Sequence, residues 1–447
     1  MNIENIIAII FLLSLTALVY FNRRKLDFQK ILFPLIYVIL WRTRYGLRFM
    51  DSFAAQFRRR PFLSYLTIIL SFGIVAFFAA ALLSLKAAKY SAYLIILAVM
   101  IVFIVLSVRS RAPVRYASSA IIMVGFLGMT LLSVALVMSL AETFTKPSAP
   151  PAVGLVLPIK GVSGIFYVDP FYWLISIFVL AVLHEFSHGI FARLFNIKVK
   201  SSGFGALAIL APIIPLAFVE PDEKAVAKKS RREQLTIFAA GAFSNILFAL
   251  ILLLAFIAFI APFASQFVEA KGVEILSFDE KISPANSSGM KIGEVITAVD
   301  GNPIKTPEEF IAALSSRKPG DVLDIKTNAS SYRIALEQHP QNQSRAYVGV
   351  SVTPNSGVKP GVQERYGALV PVSIWLFGLL FTLMQLNLGI GLFNLAPLGP
   401  IDGGRMLLTA LESRFDKDTA RKIWAGISML FLLLIITLIL SSFGLFR

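Results

Sequence analysis

Two histidines and a glutamate stand in one five-residue string, His184-Glu185-Phe186-Ser187-His188. On a helix, residues i and i+4 lie on the same face, so both imidazoles can reach one ion. Glu185 lies about 100° further round the helix, beside the ion without having to bind it. This arrangement suits Zn²⁺ with an open position, where the ion lowers the pKa of a bound water and the carboxylate takes its proton. The chemistry that the string predicts is hydrolysis.

The string lies inside an apolar segment that is long enough to cross a bilayer. Ionisable side chains at that depth cost free energy and are therefore functional by default. The chain has only three histidines, two of them in this string, and no cysteine. The absence of cysteine excludes disulfides and thiolate metal sites. The alternative is a buried polar cluster that only holds helices together.

One further carboxylate, Asp402, stands out as a third ligand for a tetrahedral ion. It lies in the segment NLAPLGPIDGG, residues 394–404, whose two prolines prevent a regular helix and whose Gly-Gly pair permits tight backbone geometry. Irregular backbone at membrane depth survives only where protein or a wet cavity satisfies its polar groups. A metal pocket fits this requirement. The alternative is that Asp402 only caps the following helix, predicted over Met406–Leu411.

The elements that must position these residues are mostly membrane-spanning. The 447 residues are 57% hydrophobic and 15% charged, which excludes an ordinary soluble enzyme with its roughly 25% of charged residues. Eight apolar stretches are long enough to span, at about 4–21, 62–85, 91–108, 117–141, 171–196, 234–262, 369–393 and 423–446. The first has no basic leader and no cleavage site, so we expect a retained helix. Residues 31–41 are too short to span and are predicted to be interfacial or re-entrant.

The net charge of +16 is concentrated in four segments. Their net charges are +8, +3, +3 and +2, in residues 22–60, 109–116, 197–233 and 404–422. These segments alternate correctly through eight spans if all of them face the cytosol. Both termini and residues 262–368 are then outside, and the metal motif is in the cytosolic half of the bilayer. The charge reports topology and lipid contact, so no nucleic-acid partner is expected.

Residues 267–355 have the alternating pattern of a small β-rich domain. Strands are predicted at Val273–Leu276, Val295–Val299, Val322–Lys326, Tyr332–Leu336 and Val348–Val352. One helix is signalled by Thr306-Pro307-Glu308-Glu309. The run Ser283-Pro284-Ala285, Gly289, Gly293-Glu294-Val295-Ile296 and Val299-Asp300-Gly301 resembles a PDZ domain of the bacterial protease type. Such domains bind an extended peptide as an added strand. Another small barrel or sandwich is the alternative.

Taken together, HEFSH in one span, NLAPLGPIDGG two spans later and the PDZ-like insert between them resemble the site-2 protease family of intramembrane zinc metalloproteases. The resemblance covers roughly residues 165–440. It implies one Zn²⁺ per chain, held by His184, His188 and Asp402, with Glu185 as general base and acid. It also implies that the substrates are single-span, membrane-tethered regulatory proteins, cut within or near their transmembrane segments.

Two further segments match that family more loosely. Residues 198–223 resemble a membrane-dipping β-hairpin whose edge pairs with an unwound substrate strand, with Gly203, Phe204 and Gly205 at the contact; an interfacial connector is the alternative. Asn245 could stabilise the oxyanion, or it could hold helices together. Asn394 is a candidate substrate-binding residue.

The predicted fold class is a polytopic α-helical membrane protein with a small β-rich PDZ-like domain inserted between two core transmembrane helices. Its predicted parts are an N-terminal extension (1–165), a first part of the catalytic core (166–262), the exterior domain (263–368) and a second part of the core (369–447). The rival functions are a metal-cation transporter and an idle scaffold that displays a PDZ domain. A protease with Glu as third ligand is weaker, because no later span offers a buried Glu. Nothing in the sequence predicts an oligomeric state.

Overall fold

The computed structural model describes residues 26–32, 36–83, 86–145, 154–159, 164–209, 211–279, 282–339 and 342–443, together with residues 14, 17, 20, 21 and 445. Within this part of the chain, seven helices are long and apolar enough to cross a membrane. They coincide with the predicted spans from residue 62 onward. The predicted span over 4–21 lies almost entirely outside the described residues.

From residue 47 onward, the helices are α1 (Leu47–Arg59), α2 (Pro61–Leu82), α3 (Lys86–Arg109), α4 (Pro113–Thr145), α5 (Pro170–Leu194), α6 (Glu223–Ala227), α7 (Arg231–Ala255), α8 (Ala261–Ala264), α9 (Pro284–Ser287), α10 (Pro307–Ser315), α11 (Val362–Tyr366), α12 (Leu369–Phe393), α13 (Asp402–Leu411) and α14 (Lys417–Ser442). A π-helical turn, Phe256–Ile260, joins α7 to α8, so these form one long span.

The spanning helices are apolar all round, which is the pattern of helices surrounded by lipid and other helices. On α3 most side chains are exposed, including Leu94 and Val102, so this helix offers the bilayer an apolar surface. The helix α5 begins where Asp169 accepts hydrogen bonds from the next backbone amides and Pro170 occupies the first position. Asp416 caps α14 in the same way.

The strands are β1 (Asp27–Leu32), β2 (Ile36–Thr43), β3 (Leu155–Leu157), β4 (Ile165–Tyr167), β5 (Val199–Ile209), β6 (Ala211–Pro221), β7 (Val268–Phe278), β8 (Val295–Val299), β9 (Asn302–Pro303), β10 (Val322–Thr327), β11 (Ser331–Ala335), β12 (Glu337–His339), β13 (Asn342–Tyr347) and β14 (Val350–Val358). A four-stranded antiparallel sheet has the order β1-β2-β5-β6. The hairpin predicted after α5 is therefore present as β5 and β6. The segment 31–41 is not a span, as predicted, but it contributes strands to the sheet.

Side chains tie the N-terminal strands to the hairpin. Arg42 of β2 forms ion pairs of 2.6 Å with Asp27 of β1 and with Glu220 of β6. The helix α1 then packs on α5, where Arg193 pairs with Asp51 at 3.1 Å. The N-terminal extension is thus joined to the metal-motif helix through both a strand and a helix.

The chain divides into two compact units, residues 1–254 with 378–447, and residues 255–377. The second unit contains a sheet of order β11-β10-β8-β7-β14, with β9 on β8. Its own core includes Ile275, Ile296, Leu323 and Ile325. The helix α10 begins at the predicted place, with Thr306 and Glu309 in a reciprocal capping box. The chain is therefore a polytopic helical membrane protein with a PDZ-like β-rich domain inserted between two spans. The finer division of the first unit stays a prediction.

Candidate metal centre

The two histidines of the motif lie on one face of α5, as the i, i+4 spacing requires. The ring centroids of His184 and His188 are 4.7 Å apart. His184 is buried and His188 is half-buried. Both rings point their Nε2 atoms towards the same carboxylate.

That carboxylate belongs to Asp402. Its Oδ2 lies 3.0 Å from His184 Nε2 and 3.1 Å from His188 Nε2. Asp402 is the first residue of α13, and the capping position before it is Ile401, with no side-chain cap. The carboxylate therefore faces the histidines and does not cap its own helix. The structure brings the three predicted ligands together, with one ligand atom of each within 4.8 Å of the others.

The irregular segment before α13 holds Asp402 in place through its glycines. The Gly403 N–H donates to the Asn394 carbonyl at 2.8 Å. A Cβ on Gly403 would collide with the carbonyl oxygens of Leu395 and Ala396. Only a residue without a side chain permits this turn, which lies directly behind the ligand. The backbone of Asn394 belongs to this turn; the substrate-binding role of its side chain stays a prediction.

The outer nitrogen of His188 is fixed by the neighbouring span. His188 Nδ1 lies 2.7 Å from the Ile237 carbonyl on α7. Because a carbonyl only accepts, Nδ1 carries the proton, and the lone pair of Nε2 is left for an ion. Metal-binding histidines commonly have such a backbone or carboxylate partner.

Asn245 of α7 plays the corresponding part for His184. Its side-chain amide lies 3.2 Å from His184 Nδ1 and is fully buried. Asn245 Oδ1 has no hydrogen-bond partner when Nδ2 faces the ring. Turning the amide by half a rotation places Oδ1 against a protonated Nδ1, which gives Oδ1 a donor and again leaves Nε2 for an ion. This contact favours an orienting role over the predicted oxyanion contact.

Gly241 leaves the space in which these ligand atoms meet. A Cβ on this residue of α7 would lie 2.5 Å from His188 Nε2 and 2.6 Å from His184 Nε2. Tetrahedral zinc with bonds of about 2.0 Å holds its ligand atoms about 3.3 Å apart, close to the 3.0 and 3.1 Å between Asp402 Oδ2 and the two histidine Nε2 atoms. The donor set, the spacing and the small residue opposite fit one Zn²⁺ with an open coordination position.

Glu185 lies beside the ligands and does not belong to them. Its Oε2 accepts a hydrogen bond of 3.0 Å from the Val219 N–H on β6. Within the described residues β6 is an edge strand of the sheet, and this amide, which donates to Glu185, lies on the side of β6 that faces away from β5. The carboxylate thus joins the ligand-bearing helix to an open strand edge.

Gly203, Phe204 and Gly205 lie in β5, in the interior of the sheet. They pair on one side with β6 and on the other with β2. Cβ atoms on the two glycines would collide with the carbonyl oxygens of Trp41 and Ile39, so the backbones of β5 and β2 approach closely here, while the approach of a substrate backbone stays a prediction. The partner in this structure is the chain's own β2. A substrate strand can pair with these residues only if β2 leaves.

Three features of the site were not predicted from the sequence. They are the contact of the Ile237 carbonyl with His188, the hydrogen bond from the Val219 amide to Glu185, and the space that Gly241 leaves beside the histidines. The first two are main-chain groups, whose residue type carries no signal. Gly241 does carry one, because a glycine four residues before a polar Asn245 in an apolar span indicates close helix packing.

Comparison with known proteins agrees with this geometry. The profile of Peptidase family M50 matches residues 172–435, which include every residue of the metal centre. A 270-residue stretch is 28% identical to the uncharacterized protein MJ0971 of Methanocaldococcus jannaschii, covering 59% of this chain and 61% of that protein. A 284-residue stretch is 25% identical to the "Putative zinc metalloprotease CPE1693" of Clostridium perfringens, covering 54% of this chain and 82% of that protein.

Two solved PDZ domains are similar to a smaller part of the chain. The PDZ domain of an SdrC-like protein from Listeria monocytogenes is 26% identical, with a TM-score of 0.16, and covers 19% of this chain and 88% of that domain. Its counterpart from Listeria innocua is 29% identical, with a TM-score of 0.17, and covers 18% and 92%. Each match extends over less than a fifth of the chain.

Proposed function

The chain belongs to peptidase family M50, and on that premise we propose that it is an intramembrane zinc endopeptidase that cuts transmembrane segments of membrane-tethered regulatory proteins. The observation that carries the proposal is the cluster of His184, His188 and Asp402, with ligand atoms within 4.8 Å of one another. Glu185, adjacent to one ligand on the same helix, supplies the carboxylate that hydrolysis needs. The basic loops support an active site in the cytosolic half of the bilayer, with both termini and the PDZ-like domain outside.

In this mechanism the residues have different tasks. His184, His188 and Asp402 would hold a zinc ion, which would supply the Lewis acid that lowers the pKa of water towards 7. Glu185 takes a proton from the attacking water and delivers it to the leaving amine. Asn245 and the Ile237 carbonyl hold the two imidazoles in the tautomer that leaves Nε2 free.

The open edge of β6 supports a place for the substrate. A protease must cleave extended backbone, and an extended segment binds most simply as an added strand. Backbone amides alternate between the two sides of a strand, so Ala217 presents its N–H on the same side as Val219. Pro215 and Pro221 share that side and have no N–H. A substrate strand would therefore pair with β6 at Ala217, next to Glu185.

Glu185→Gln tests the proposal directly. We expect purified wild-type protein in lipid to cut a panel of single-span proteins, and a zinc chelator to stop cleavage. The Gln variant should retain one zinc per chain by elemental analysis and lose at least about a thousandfold in rate, because the base is gone.

Three results would contradict the proposal. Cleavage by the Gln variant at the wild-type rate would remove Glu185 from the mechanism. Metal flux across a vesicle membrane without any proteolysis would favour a cation transporter instead. A metal-free preparation with unchanged stability would favour an idle scaffold.

A further inference from the structure

A cavity of about 600 Å³ lies among the ends of six helices, away from the metal centre. Arg58 comes from the end of α1 and Pro61 from the start of α2. The turn between α3 and α4 contributes Arg111 and Arg115, and Phe195 follows α5. The start of α7 closes the cavity. Every residue of the lining belongs to the membrane unit of the chain.

The lining of this cavity is strongly basic. Four arginines, Arg58, Arg111, Arg115 and Arg232, face a single carboxylate, Glu233. That carboxylate already accepts two hydrogen bonds, one from the Ser230 amide at 3.0 Å and one from the Ser230 hydroxyl at 2.8 Å. The lining therefore carries positive charge in excess.

None of the four arginines forms an ion pair within the described residues. Arg58 donates to the Asn196 side-chain oxygen at 2.5 Å, which is a neutral partner. Among neighbouring arginines outside the cavity, Arg193 pairs with Asp51 and Arg231 pairs with Glu412, whereas no ion pair of Arg59 or Arg109 is found within the described residues. The uncompensated charge therefore extends beyond the lining, and the cavity is the place where four of these charges converge.

Helix ends add to the positive potential. The helices α2, α4 and α7 all begin at the cavity, so the positive ends of three helix dipoles point into it. Arg111, just before α4, is held at φ 52°, a conformation that residues other than glycine adopt at a cost. The backbone thus places a guanidinium at the cavity at some expense in local conformational energy.

We propose that this cavity binds an anion with one or two phosphate groups, as found on a lipid headgroup or on a soluble phosphate ester. Guanidinium groups match phosphate oxygens in bidentate fashion, and helix N-termini are ready-made sites for such anions. The volume lies within the range of small-molecule sites, about 300–1,000 Å³. Basic pockets between the ends of spanning helices also lie where acidic headgroups are found. The site goes beyond the proposed protease activity, and none of its residues belongs to the metal centre.

A pair of matched double variants tests this site in the full-length protein. Arg111→Gln with Arg115→Gln removes two charges from the lining. Arg59→Gln with Arg109→Gln removes two charges from neighbouring positions outside it. Both variants have the same net charge, so long-range attraction to an anion changes equally.

Binding is measured in two arms that distinguish the sources of phosphate. In the first, native mass spectrometry counts phosphatidylglycerol retained by protein from nanodiscs of mixed phosphatidylglycerol and phosphatidylcholine. In the second, calorimetry follows inorganic pyrophosphate added to protein in neutral detergent. We expect the lining pair to weaken binding about thirtyfold in the arm that supplies the natural source, since each cation contributes about 1 kcal/mol. The outer pair should cost no more than about threefold, because those charges act at a distance and are screened by salt.

The two arms give different results for the two sources of phosphate. Selective loss in the lipid arm assigns the cavity to a headgroup, and selective loss in the pyrophosphate arm assigns it to a soluble phosphate. Equal effects of the two double variants, or no binding in either arm, would overturn the proposal. Thermal unfolding without any probe checks that each variant is folded. If the lining pair is unfolded, Arg232→Gln in the first turn of α7 carries the same test, with an expected loss of about fivefold.

Discussion

Gly241 shows how one missing side chain can define a metal centre. Its Cα faces the Nε2 atoms of both motif histidines at distances that leave no room for a methyl group. A glycine in an apolar span also lets the neighbouring helix approach, so α5 and α7 come close at the proposed metal site. The residue contributes no ligand atom, yet it decides whether the ligands can meet.

Gly241→Ala should therefore abolish metal binding. We expect the added methyl group to displace the imidazoles, with zinc content falling towards zero and a cost of about 1–3 kcal/mol in stability. Gly389→Ala on α12 is the control, because nothing lies within 4 Å of its Cβ position. Full zinc occupancy in the Gly241 variant would show that the site relaxes around the methyl group.

Asn245 allows two roles that a single variant can separate. If the amide orients His184, Asn245→Ala should weaken zinc affinity about 10–100-fold, as loss of an outer hydrogen bond to a ligand does. If the amide contacts the oxyanion, turnover falls while zinc affinity stays the same. The contact with Nδ1 leads us to expect the first result. Zinc affinity by competition with a chelator, measured beside kcat, decides between them.

At the scale of elements, the sheet rather than the hairpin is the unit that lies against α5. The strand β2 covers β5, and β6 keeps the open edge next to Glu185. Edge strands invite a further strand, and prolines are a common way of limiting that pairing. Here Pro215 and Pro221 restrict the open edge of β6 to a short stretch.

Ala217→Pro tests the open edge as the substrate site. An outward amide on an edge strand can be lost without breaking the sheet, so metal content and folding should be unchanged. The catalytic efficiency kcat/KM should fall about fivefold, the value of one main-chain hydrogen bond of about 1 kcal/mol. The adjacent Phe218→Pro is the contrast, since it removes an amide that faces β5 and should lower the free energy of unfolding. Unchanged cleavage by the Ala217 variant would place the substrate elsewhere.

At the scale of the whole molecule, the absence of cysteine makes membrane orientation directly measurable. Single cysteines at Ser110, Ser316 and Ser413 occupy exposed positions in the α3–α4 turn, after α10 and after α13. From the basic loops, an impermeant maleimide applied to intact cells should label the cysteine at position 316 alone. The other two should react only after the membrane is opened. Labelling of position 110 in intact cells would reverse the proposed orientation.

Much of this molecule could be predicted from local features of its sequence. Hydrophobic periodicity and capping residues act over a few positions of the chain. They predict seven spans, most strands of the inserted domain and the helix capped by Thr306. The pair His184 and His188 follows from the helical period, and Asp402 stands out because ionisable groups are rare at membrane depth. Residue types and spacing thus determined the class of protein and singled out the three candidate ligands that the fold brings together.

Other features depend on which distant segments meet, and only the tertiary structure decided them. Residues 36–43 are too short to span a membrane, and their sequence does not indicate which strand they pair with. In the structure they pair with β5, some 160 residues later, and cover the strand edge that was predicted to bind substrate. The approach of Gly241 to the histidines and the gathering of four arginines around one cavity arise in the same way. In each case the energy comes from long-range packing and hydrogen bonding, which no short stretch of sequence encodes by itself.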